Sequence, residues 1–244
     1  MNDTTGPAAL VTGAARRIGR AIALRLAAEG WPVALHVRAI DADARALAAQ
    51  IGAAGGAAAL IDGDLGDPAV AAGLLPRAAA SLGPIGLAVN NASLFAQDAA
   101  ADFTAAGFDR HMAVNLRAPL LIGQAMAAQG VEGAIVNIVD QRVWRLTPDD
   151  FSYTLSKAAL WTATQTMAQA FAPRLRVNAV APGPTLANVH EGEAGLAREI
   201  ARLPLAAGPT PEEIAAAVVY LAGARSVTGQ MIAVDGGQHL AREG

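Results

Sequence analysis

Short apolar runs alternate with longer segments of helical periodicity from one end of the chain to the other. The short runs are continuously apolar and lack the alternation of a strand that faces water on one side. This pattern is typical of strands that are buried on both faces of a parallel sheet. The predicted strands are Ala9–Thr12, Val33–Val37, Ala58–Asp62, Leu87–Asn90, Ala134–Val139, Arg176–Val180 and Met231–Val234.

The longer segments repeat apolar residues at the spacing of one helix face. The predicted helices are Ile18–Glu29, Ala42–Ile51, Ala69–Ser81, Phe108–Ala128, Tyr153–Phe171 and Pro211–Leu221. Strands that alternate with helices predict an α/β fold with a seven-stranded parallel sheet and helices on both faces. Since no internal repeat and no Pro-, Ser- or Gly-rich linker divides the chain, we expect a single doubly wound, Rossmann-type domain over residues 1–244.

The least regular stretch runs from Pro182 to Thr210 and follows the predicted strand Arg176–Val180. In open α/β sheets, the loops at the carboxyl ends of the strands line the ligand crevice. Residues 184–210 are therefore predicted to form a lid over the substrate.

Composition narrows the range of partners. Hydrophobic residues make up 53% of the chain and charged residues 16%, which indicates a large core. The net charge is −3 with no run of Lys or Arg, so neither a nucleic acid nor an anionic membrane is expected as a partner. Cysteine is absent, which excludes disulfides and thiolate metal sites, and the scattered histidines predict no metal site.

The N-terminal sequence has neither a basic segment nor the apolar run of a signal peptide. The Ala-rich stretches are interrupted well before the roughly 18 apolar residues that a membrane span requires. We therefore expect a cytoplasmic protein that acts on a small molecule.

A glycine-rich turn joins the first predicted strand to the first helix, with the sequence Thr12-Gly-Ala-Ala-Arg-Arg-Ile-Gly19. Glycines allow a tight turn and a close approach of the backbone to a pyrophosphate at the helix N-terminus, although they also end strands for purely local reasons. Adjacent cations at a helix N-terminus are unfavourable unless an anion binds there. The turn therefore indicates a dinucleotide cofactor, with expected contacts from Gly13, Arg16, Arg17, Ile18 and Gly19.

The second predicted strand ends in His36-Val37-Arg38. Enzymes that prefer NAD usually place a carboxylate there to accept the ribose hydroxyls, whereas a 2′-phosphate calls for cations. Because Val37 lacks a carboxylate and Arg38 is cationic, we predict NADP (NADPH) as the cofactor, with Arg16 and Arg38 on the phosphate. His36 either assists them or simply ends the strand.

Tyr153 and Lys157 lie four residues apart in a helical pattern, so they share one face of the helix. A phenol with a pKa of about 10 is a poor acid–base catalyst at neutral pH, and a neighbouring ammonium lowers that pKa. The pair is a candidate catalytic centre, although the same spacing often occurs by chance.

Taken together, the motifs resemble those of the short-chain dehydrogenase/reductase family, in the same order and over nearly the whole chain. They are Thr12–Gly19, Asn90-Asn91-Ala92, Asn115, Tyr153 with Lys157, Pro182-Gly183, and the terminal Thr228-Gly229 and Asp235-Gly236-Gly237.

The resemblance implies roles for the matching residues. Tyr153 is the expected proton donor, Lys157 binds the nicotinamide ribose and lowers the Tyr153 pKa, and Asn115 holds a proton-relay water. Further cofactor contacts are implied for Asp64, Leu65, Asn91, Ala92, Pro182 and Gly183. The family also suggests a homo-oligomer, a tetramer or a dimer, formed through the helices Phe108–Ala128 and Tyr153–Phe171.

Four departures from the usual family pattern resemble the pteridine reductase branch, which includes the dihydromonapterin reductases. Asp140 stands where the catalytic serine is usual, Ser93 follows Asn90-Asn91-Ala92 in place of glycine, Arg17 replaces the middle glycine, and Phe95 follows Leu94. The resemblance implies a substrate site made of Arg17, Ser93, Phe95, Asp140 and Tyr153.

The chemistry of a pterin is consistent with these departures. A serine hydroxyl suits a carbonyl oxygen, whereas a pterin presents ring nitrogens and an amino group to which a carboxyl can accept or, when protonated, donate. Burial would raise the pKa of Asp140 enough for the second role, and Phe95 would stack on the flat ring. The alternatives are that Asp140 caps a turn and that Phe95 packs in the core.

We therefore expect an NADPH-dependent reductase that transfers hydride to a C=N bond of a dihydropterin such as dihydromonapterin, dihydrobiopterin or dihydrofolate. One alternative is a carbonyl reductase that acts on another small ketone or alcohol. The other is a catalytically silent NADP-binding sensor, against which Tyr153, Lys157 and Asn115 argue.

Overall fold

Seven parallel strands form one sheet in the order β3-β2-β1-β4-β5-β6-β7. The structure, a computed structural model, describes residues 6–187 and 192–241. The strands are β1 (Ala8–Thr12), β2 (Val33–Val37), β3 (Ala58–Asp62), β4 (Ile85–Asn90), β5 (Gly133–Ile138), β6 (Leu175–Pro182) and β7 (Met231–Val234). The predicted doubly wound, Rossmann-type α/β fold is confirmed.

Both faces of the sheet are covered by helices, which explains the continuously apolar strands. Ala9 and Val11 of β1 pack on one face. Ala8 and Leu10 pack on the other, because successive side chains of a strand point to opposite faces. The helices are α1 (Arg17–Ala28), α2 (Ala42–Ala53), α3 (Pro68–Leu82), α4 (Ala105–Met112), α5 (Ala118–Gln129), α6 (Phe151–Phe171), α7 (Gly192–Ala201) and α8 (Pro211–Gly223).

The predicted helix Phe108–Ala128 is not one regular α-helix. It starts earlier, at Ala105, where the Thr104 hydroxyl accepts a hydrogen bond from Gly107 N–H at 3.1 Å. Between α4 and α5 the backbone widens into a π-helical stretch, Ala113–Arg117. Such stretches are rare and are frequently found at functional sites.

The segment that sequence analysis treats as irregular contains helix α7. Leu196, Ile200 and Leu203 follow a helical spacing, and Leu203 is buried. The prolines lie near the two ends of the segment, and Gly192 and Gly195 are accommodated within α7, so the prediction of an irregular stretch was wrong there. Residues 188–191 of the predicted lid lie outside the described residues.

The carboxyl ends of the strands meet at one edge of the sheet, and the strand order reverses between β1 and β4. In open α/β sheets, ligands bind at such a switch point. The turns that follow β1, β4, β5 and β6 carry Gly13, Asn91, Asp140 and Gly183, so the fold brings the predicted motifs to the same edge.

Within residues 6–187 and 192–241, no helix combines the length and apolar character needed to cross a membrane. The same part of the chain holds no group of three or more His, Asp or Glu residues arranged to bind a metal ion.

Candidate active site

A cavity of about 510 Å³ opens at the carboxyl edge of the sheet. Most of the predicted site residues line it: Gly13, Arg16, Arg17, Ile18, Gly19, His36, Arg38, Asp64, Leu65, Asn91, Ala92, Ser93, Asp140, Tyr153, Lys157, Pro182 and Gly183. Phe95 and Asn115 lie outside this lining, although both contact residues that belong to it.

The glycine-rich turn is held against the end of β4. Asn91 Nδ2 donates to the carbonyl oxygens of Thr12 and Gly13, at 2.9 and 3.2 Å. A Cβ atom on Gly19 would lie 2.1 Å from the Gly13 carbonyl oxygen, so only glycine fits there. The first turn of α1 therefore lies directly against the loop, and this is the cradle that a pyrophosphate requires.

Arg16, which sequence analysis expects on a phosphate, pairs in this structure with two carboxylates. Its guanidinium donates to Asp43 at 2.6 Å and to Asp41 at 2.7 Å, at the start of α2. Arg38 is exposed at the end of β2, and none of the described residues forms an ion pair with it. Arg38 is therefore the better candidate of the two for a 2′-phosphate.

His36 joins two turns rather than supplying a positive charge. The register of β1 and β2 pairs Thr12 with His36, so His36 Nδ1 accepts a hydrogen bond from Gly13 N–H at 3.4 Å. Its Nε2 lies 3.1 Å from the Gly63 carbonyl oxygen and carries the ring proton. Burial lowers the pKa of His36, so the imidazole is neutral and the expected assistance to a phosphate is not supported.

Tyr153 and Asp140 form a hydrogen-bonded pair inside the cavity. The Tyr153 hydroxyl donates to Asp140 Oδ2 at 3.0 Å. The other oxygen, Oδ1, accepts from Arg142 N–H at 2.9 Å at the start of a short 3₁₀ turn. Asp140 therefore caps a turn with one oxygen, as one of the alternatives from sequence expects, and contacts the tyrosine with the other.

Burial shapes the protonation of this pair. Burial raises the pKa of Asp140 above its ordinary value. Burial and the Asp140 carboxylate together raise the pKa of Tyr153 well above its ordinary value. The predicted lowering of the Tyr153 pKa by Lys157 is therefore wrong for this state of the site, and the phenol holds its proton at neutral pH.

Lys157 is buried beneath the pair. Its Nζ donates to the Ile138 carbonyl oxygen at 2.8 Å and lies 5.7 Å from the centre of the Tyr153 ring. Burial lowers the pKa of Lys157 to about 8, and the Asp140 carboxylate opposes the shift. The ammonium is therefore retained at neutral pH and is lost in mild alkali.

Asn115 lies in the π-helical stretch, and both polar atoms of its side chain form hydrogen bonds with other residues of the protein. Its Oδ1 accepts from Leu94 N–H at 2.7 Å and from the Ser93 hydroxyl at 3.3 Å. Its Nδ2 donates to the Leu94 carbonyl oxygen at 2.9 Å and to the Ser156 hydroxyl at 3.0 Å. The side chain thus holds the loop after β4 against α6, and the role of Asn115 in holding a relay water stays a prediction.

Phe95 stands at the edge of the cavity against Tyr153. The two ring centres are 5.0 Å apart, and the planes are inclined by 82°. Because 38% of Phe95 is exposed, it does not pack in the core, and that alternative is wrong.

Arg17 connects the cavity to the predicted lid. Its guanidinium donates to the carbonyl oxygens of Leu186 and Ala187, each at 3.0 Å. Its φ of 53° lies in the left-handed region, where an ordinary residue is strained. Strain of this kind is found mostly at ligand sites.

Comparisons with known proteins settle the family. A family model described as "Enoyl-(Acyl carrier protein) reductase" matches residues 13–239. An uncharacterized oxidoreductase of Methylorubrum extorquens is 35% identical over 97% of this chain and 99% of its own length. The chain belongs to the short-chain dehydrogenase/reductase family.

Two solved structures of this short-chain dehydrogenase/reductase family are more similar still. FolM alternative dihydrofolate reductase 1 from Brucella canis, complexed with NADP, is 47% identical, with a TM-score of 0.94 over 99% of this chain and 97% of that one. The Brucella suis counterpart, also in complex with NADP, is 47% identical with a TM-score of 0.95, covering 99% and 98%.

Several cavity residues of this short-chain dehydrogenase/reductase were missed in the sequence. They are Gly63, Leu94, Arg110, Val114, Ile138 and Val139, whereas Thr185 belongs to the predicted lid, residues 184–210. Ile138, Val139 and Leu94 adjoin motif residues, so widening each motif by a residue or two would have found them. Arg110 and Val114 come from α4 and the π-helical stretch, and no local pattern marks them.

Proposed function

We propose that this protein is an NADPH-dependent reductase that transfers hydride to a C=N bond of a dihydropterin. The observation that carries the proposal is the hydrogen bond between Tyr153 and Asp140, at the position where the family usually has a serine hydroxyl. The 47% identity to two alternative dihydrofolate reductases supports it.

The cofactor is NADP(H), which the similar Brucella structures contain. The cradle of Gly13 and Gly19 at the start of α1 fits its pyrophosphate, and Arg38 fits its 2′-phosphate. Asp64, Leu65 and Lys157 line the same cavity; in this proposal Asp64 and Leu65 would contact the adenine and Lys157 would hold the nicotinamide ribose. When bound, the cofactor supplies the hydride.

The remaining steps belong to the side chains. Tyr153 donates its phenolic proton to the substrate nitrogen that gains electron density, and the Lys157 ammonium stabilises the phenolate that remains. Asp140 accepts a hydrogen bond from an amino or ring N–H of the pterin, or donates one when it is protonated. Phe95, Ser93 and Arg17 lie around this pair and complete the proposed substrate site.

The proposal is tested by following the absorbance of NADPH with dihydromonapterin, dihydrobiopterin, dihydrofolate and a panel of small ketones. Turnover of a dihydropterin with little turnover of ketones is expected. Turnover of ketones alone would establish the carbonyl reductase alternative. Binding of NADPH with no turnover of any substrate would favour the sensor.

Cofactor preference is expected to depend on Arg38. Changing Arg38 to Asp places a carboxylate where the 2′-phosphate would bind and should shift kcat/KM from NADPH toward NADH by about 10- to 100-fold. Steady-state kinetics with both cofactors measure the ratio. Arg45→Asp, a charge change at an exposed arginine on α2, is the control, and equal ratios in the two variants would contradict the role of Arg38.

Turnover is expected to fall as the pH rises through about 8. The pKa of Lys157 is lowered to about 8, so the ammonium that stabilises the phenolate is present below that pH and lost above it. A profile of kcat/KM between pH 6 and 10 measures the alkaline limb. Lys157→Arg should move that limb to higher pH because a guanidinium stays charged, and an unchanged limb would mean that another group titrates.

We also propose that the enzyme acts in the cytoplasm as a tetramer or dimer. Leu120 of α5 and Leu155 of α6 are exposed apolar side chains on the helices expected to form the interface.

A further inference from the structure

An ion pair lies directly beside Asp140 and Tyr153. Arg142 Nη1 donates to Asp150 Oδ2 at 2.6 Å. Asp150 is buried and Arg142 is half-buried, so water screens this pair much less than it screens an ion pair on the surface. Removal of one partner of a buried pair leaves the other charge without compensation. The contact between Arg142 and Asp150 is therefore costly to break.

The ion pair closes a ring of contacts around the Tyr153 hydroxyl. Arg142 N–H donates to Asp140 Oδ1 at 2.9 Å, and the Tyr153 hydroxyl donates to Asp140 Oδ2 at 3.0 Å. Asp150 directly precedes α6, and its carbonyl oxygen accepts from Thr154 N–H at 2.8 Å, so its place sets the first turn of the helix that carries Tyr153. The ion pair thus joins the turn that holds Asp140 to the helix that holds Tyr153.

The carboxylate of Asp150 is not used in the way that its position at a helix start favours. An aspartate there usually accepts a hydrogen bond from an N–H of its own helix. Asp150 instead has a left-handed backbone, with a φ of 56°, and makes no capping bond with α6, while its carboxylate pairs with Arg142. Asp98, which is distant in sequence, accepts from Ser152 N–H at 2.9 Å in its place. The helix end is therefore capped by another carboxylate, and Asp150 holds Arg142.

Arg142 also acts on the charge of Asp140. Burial raises the pKa of Asp140, and Arg142 opposes that rise through the hydrogen bond from its N–H and through its positive charge. The Tyr153 hydroxyl and the Lys157 ammonium are the other groups that lower the pKa of Asp140. Because Asp150 holds the guanidinium in place, the ion pair affects both the position and the charge of Asp140.

We infer that the Arg142–Asp150 ion pair is a positioning element, which fixes the Asp140 carboxylate against the Tyr153 hydroxyl and keeps a positive charge beside that carboxylate. Neither Arg142 nor Asp150 belongs to the lining of the first cavity, so both act through Asp140 and Tyr153. The inference rests on the proposed function, in which Tyr153 is the proton donor and Asp140 contacts the substrate.

The first test is kinetic and uses dihydrobiopterin as the substrate. Arg142→Gln and Asp150→Asn should each lower kcat by about 10-fold, because a small misplacement of the reacting groups slows the chemical step. The KM for NADPH should stay within about twofold, since the glycine-rich turn is unchanged. The double variant should lose no more than either single variant, because the two residues act as a unit. Arg142→Lys, which keeps the charge, should recover part of the loss.

The matched control is Arg25→Gln, which removes an exposed ion pair of α1, between Arg25 and Glu29 at 2.9 Å. This variant should leave kcat unchanged. If Arg142→Gln does not fold, the double variant takes its place, because it leaves no unpaired charge buried. Its kcat should then equal that of Asp150→Asn.

The second test needs no turnover. Carboxyl-carbon NMR of aspartate-labelled, NADP-bound protein follows the titration of Asp140, whose signal is identified by its loss in Asp140→Asn. Arg142→Gln and the double variant should raise the pKa of Asp140, because a neighbouring positive charge is removed. Asp150→Asn keeps that charge and should not raise it. A merely structural loosening would affect the titration alike in all three variants.

Additive losses of kcat in the double variant would overturn the inference, as would an unchanged kcat in either single variant. An unchanged titration of Asp140 in Arg142→Gln, or equal shifts in Arg142→Gln and Asp150→Asn, would overturn it too. Wild type that reduces no dihydropterin would instead refute the proposed function, and the titration of Asp140 would still test the ion pair.

Discussion

Replacing Tyr153 with phenylalanine should reduce kcat by about 10²- to 10⁴-fold, the usual contribution of a positioned general acid. The change removes only the hydroxyl that donates to Asp140 and keeps the ring that contacts Phe95. Because Tyr153 keeps its proton at neutral pH, the phenol is available as the acid of the proposed reduction. Single-turnover kinetics with NADPH and a dihydropterin measure the loss at the chemical step.

The same variant should bind NADPH nearly as well as the wild type, since the glycine-rich turn, Arg38 and Lys157 are unchanged. Tyr220 provides a matched control. It is 58% exposed on α8, so Tyr220→Phe removes the same atom away from the cavity and should leave turnover intact. Substantial turnover by Tyr153→Phe would mean that the proton comes from Asp140 or from water.

The fold could be predicted because the apolar pattern of the strands depends directly on burial. A strand covered on both faces must be apolar at successive positions, and β1 and β2 are buried at every residue. The break between α4 and α5 could not be predicted in this way. The apolar periodicity of Phe108–Ala128 continues through the π-helical stretch Ala113–Arg117, and it does not reveal that Asn115 there bonds to Ser156, a residue distant in sequence.

The residues that line the cavity could also be predicted, because motifs that follow neighbouring strands must meet at one edge of the sheet. The ion pairs and pKa values of these residues were harder to predict than their positions. Arg16 lies in the turn as expected, but its partners Asp41 and Asp43 follow a different strand. The spacing of Tyr153 and Lys157 is a helical one, yet the pKa of Tyr153 depends on burial and on Asp140, which a helical spacing does not reveal.

Replacing Asp140 with serine should distinguish a pteridine reductase from a carbonyl reductase. If the enzyme reduces pterins, the variant loses directed hydrogen bonds from the carboxyl to the heterocycle. Such a charge-assisted bond is worth roughly 1.5–3 kcal/mol, which corresponds to a loss of about 10- to 100-fold in kcat/KM for the pterin. Affinity for NADPH should change much less.

The structure adds a second consequence for Asp140→Ser. The carboxylate is one of the causes that raise the pKa of Tyr153, so its removal should lower that pKa toward the ordinary value. Removal of the carboxylate also takes away a group that opposes the lowering of the Lys157 pKa, so the alkaline limb of the pH profile should move to lower pH. Glu132→Ser, at an exposed carboxylate before β5, should change neither the limb nor the turnover.

A carbonyl reductase would respond in the opposite way. A serine at position 140 gives the substrate oxygen a plain hydroxyl donor, so turnover of ketones should persist or rise in Asp140→Ser. The two results are distinguishable, because pterin turnover should fall in a pteridine reductase, whereas ketone turnover should persist or rise in a carbonyl reductase. If Asp140→Ser leaves pterin turnover untouched, or raises ketone turnover in an enzyme that never accepted pterins, the pteridine assignment is wrong. The family assignment would stand, because it depends on the match over residues 13–239 rather than on Asp140.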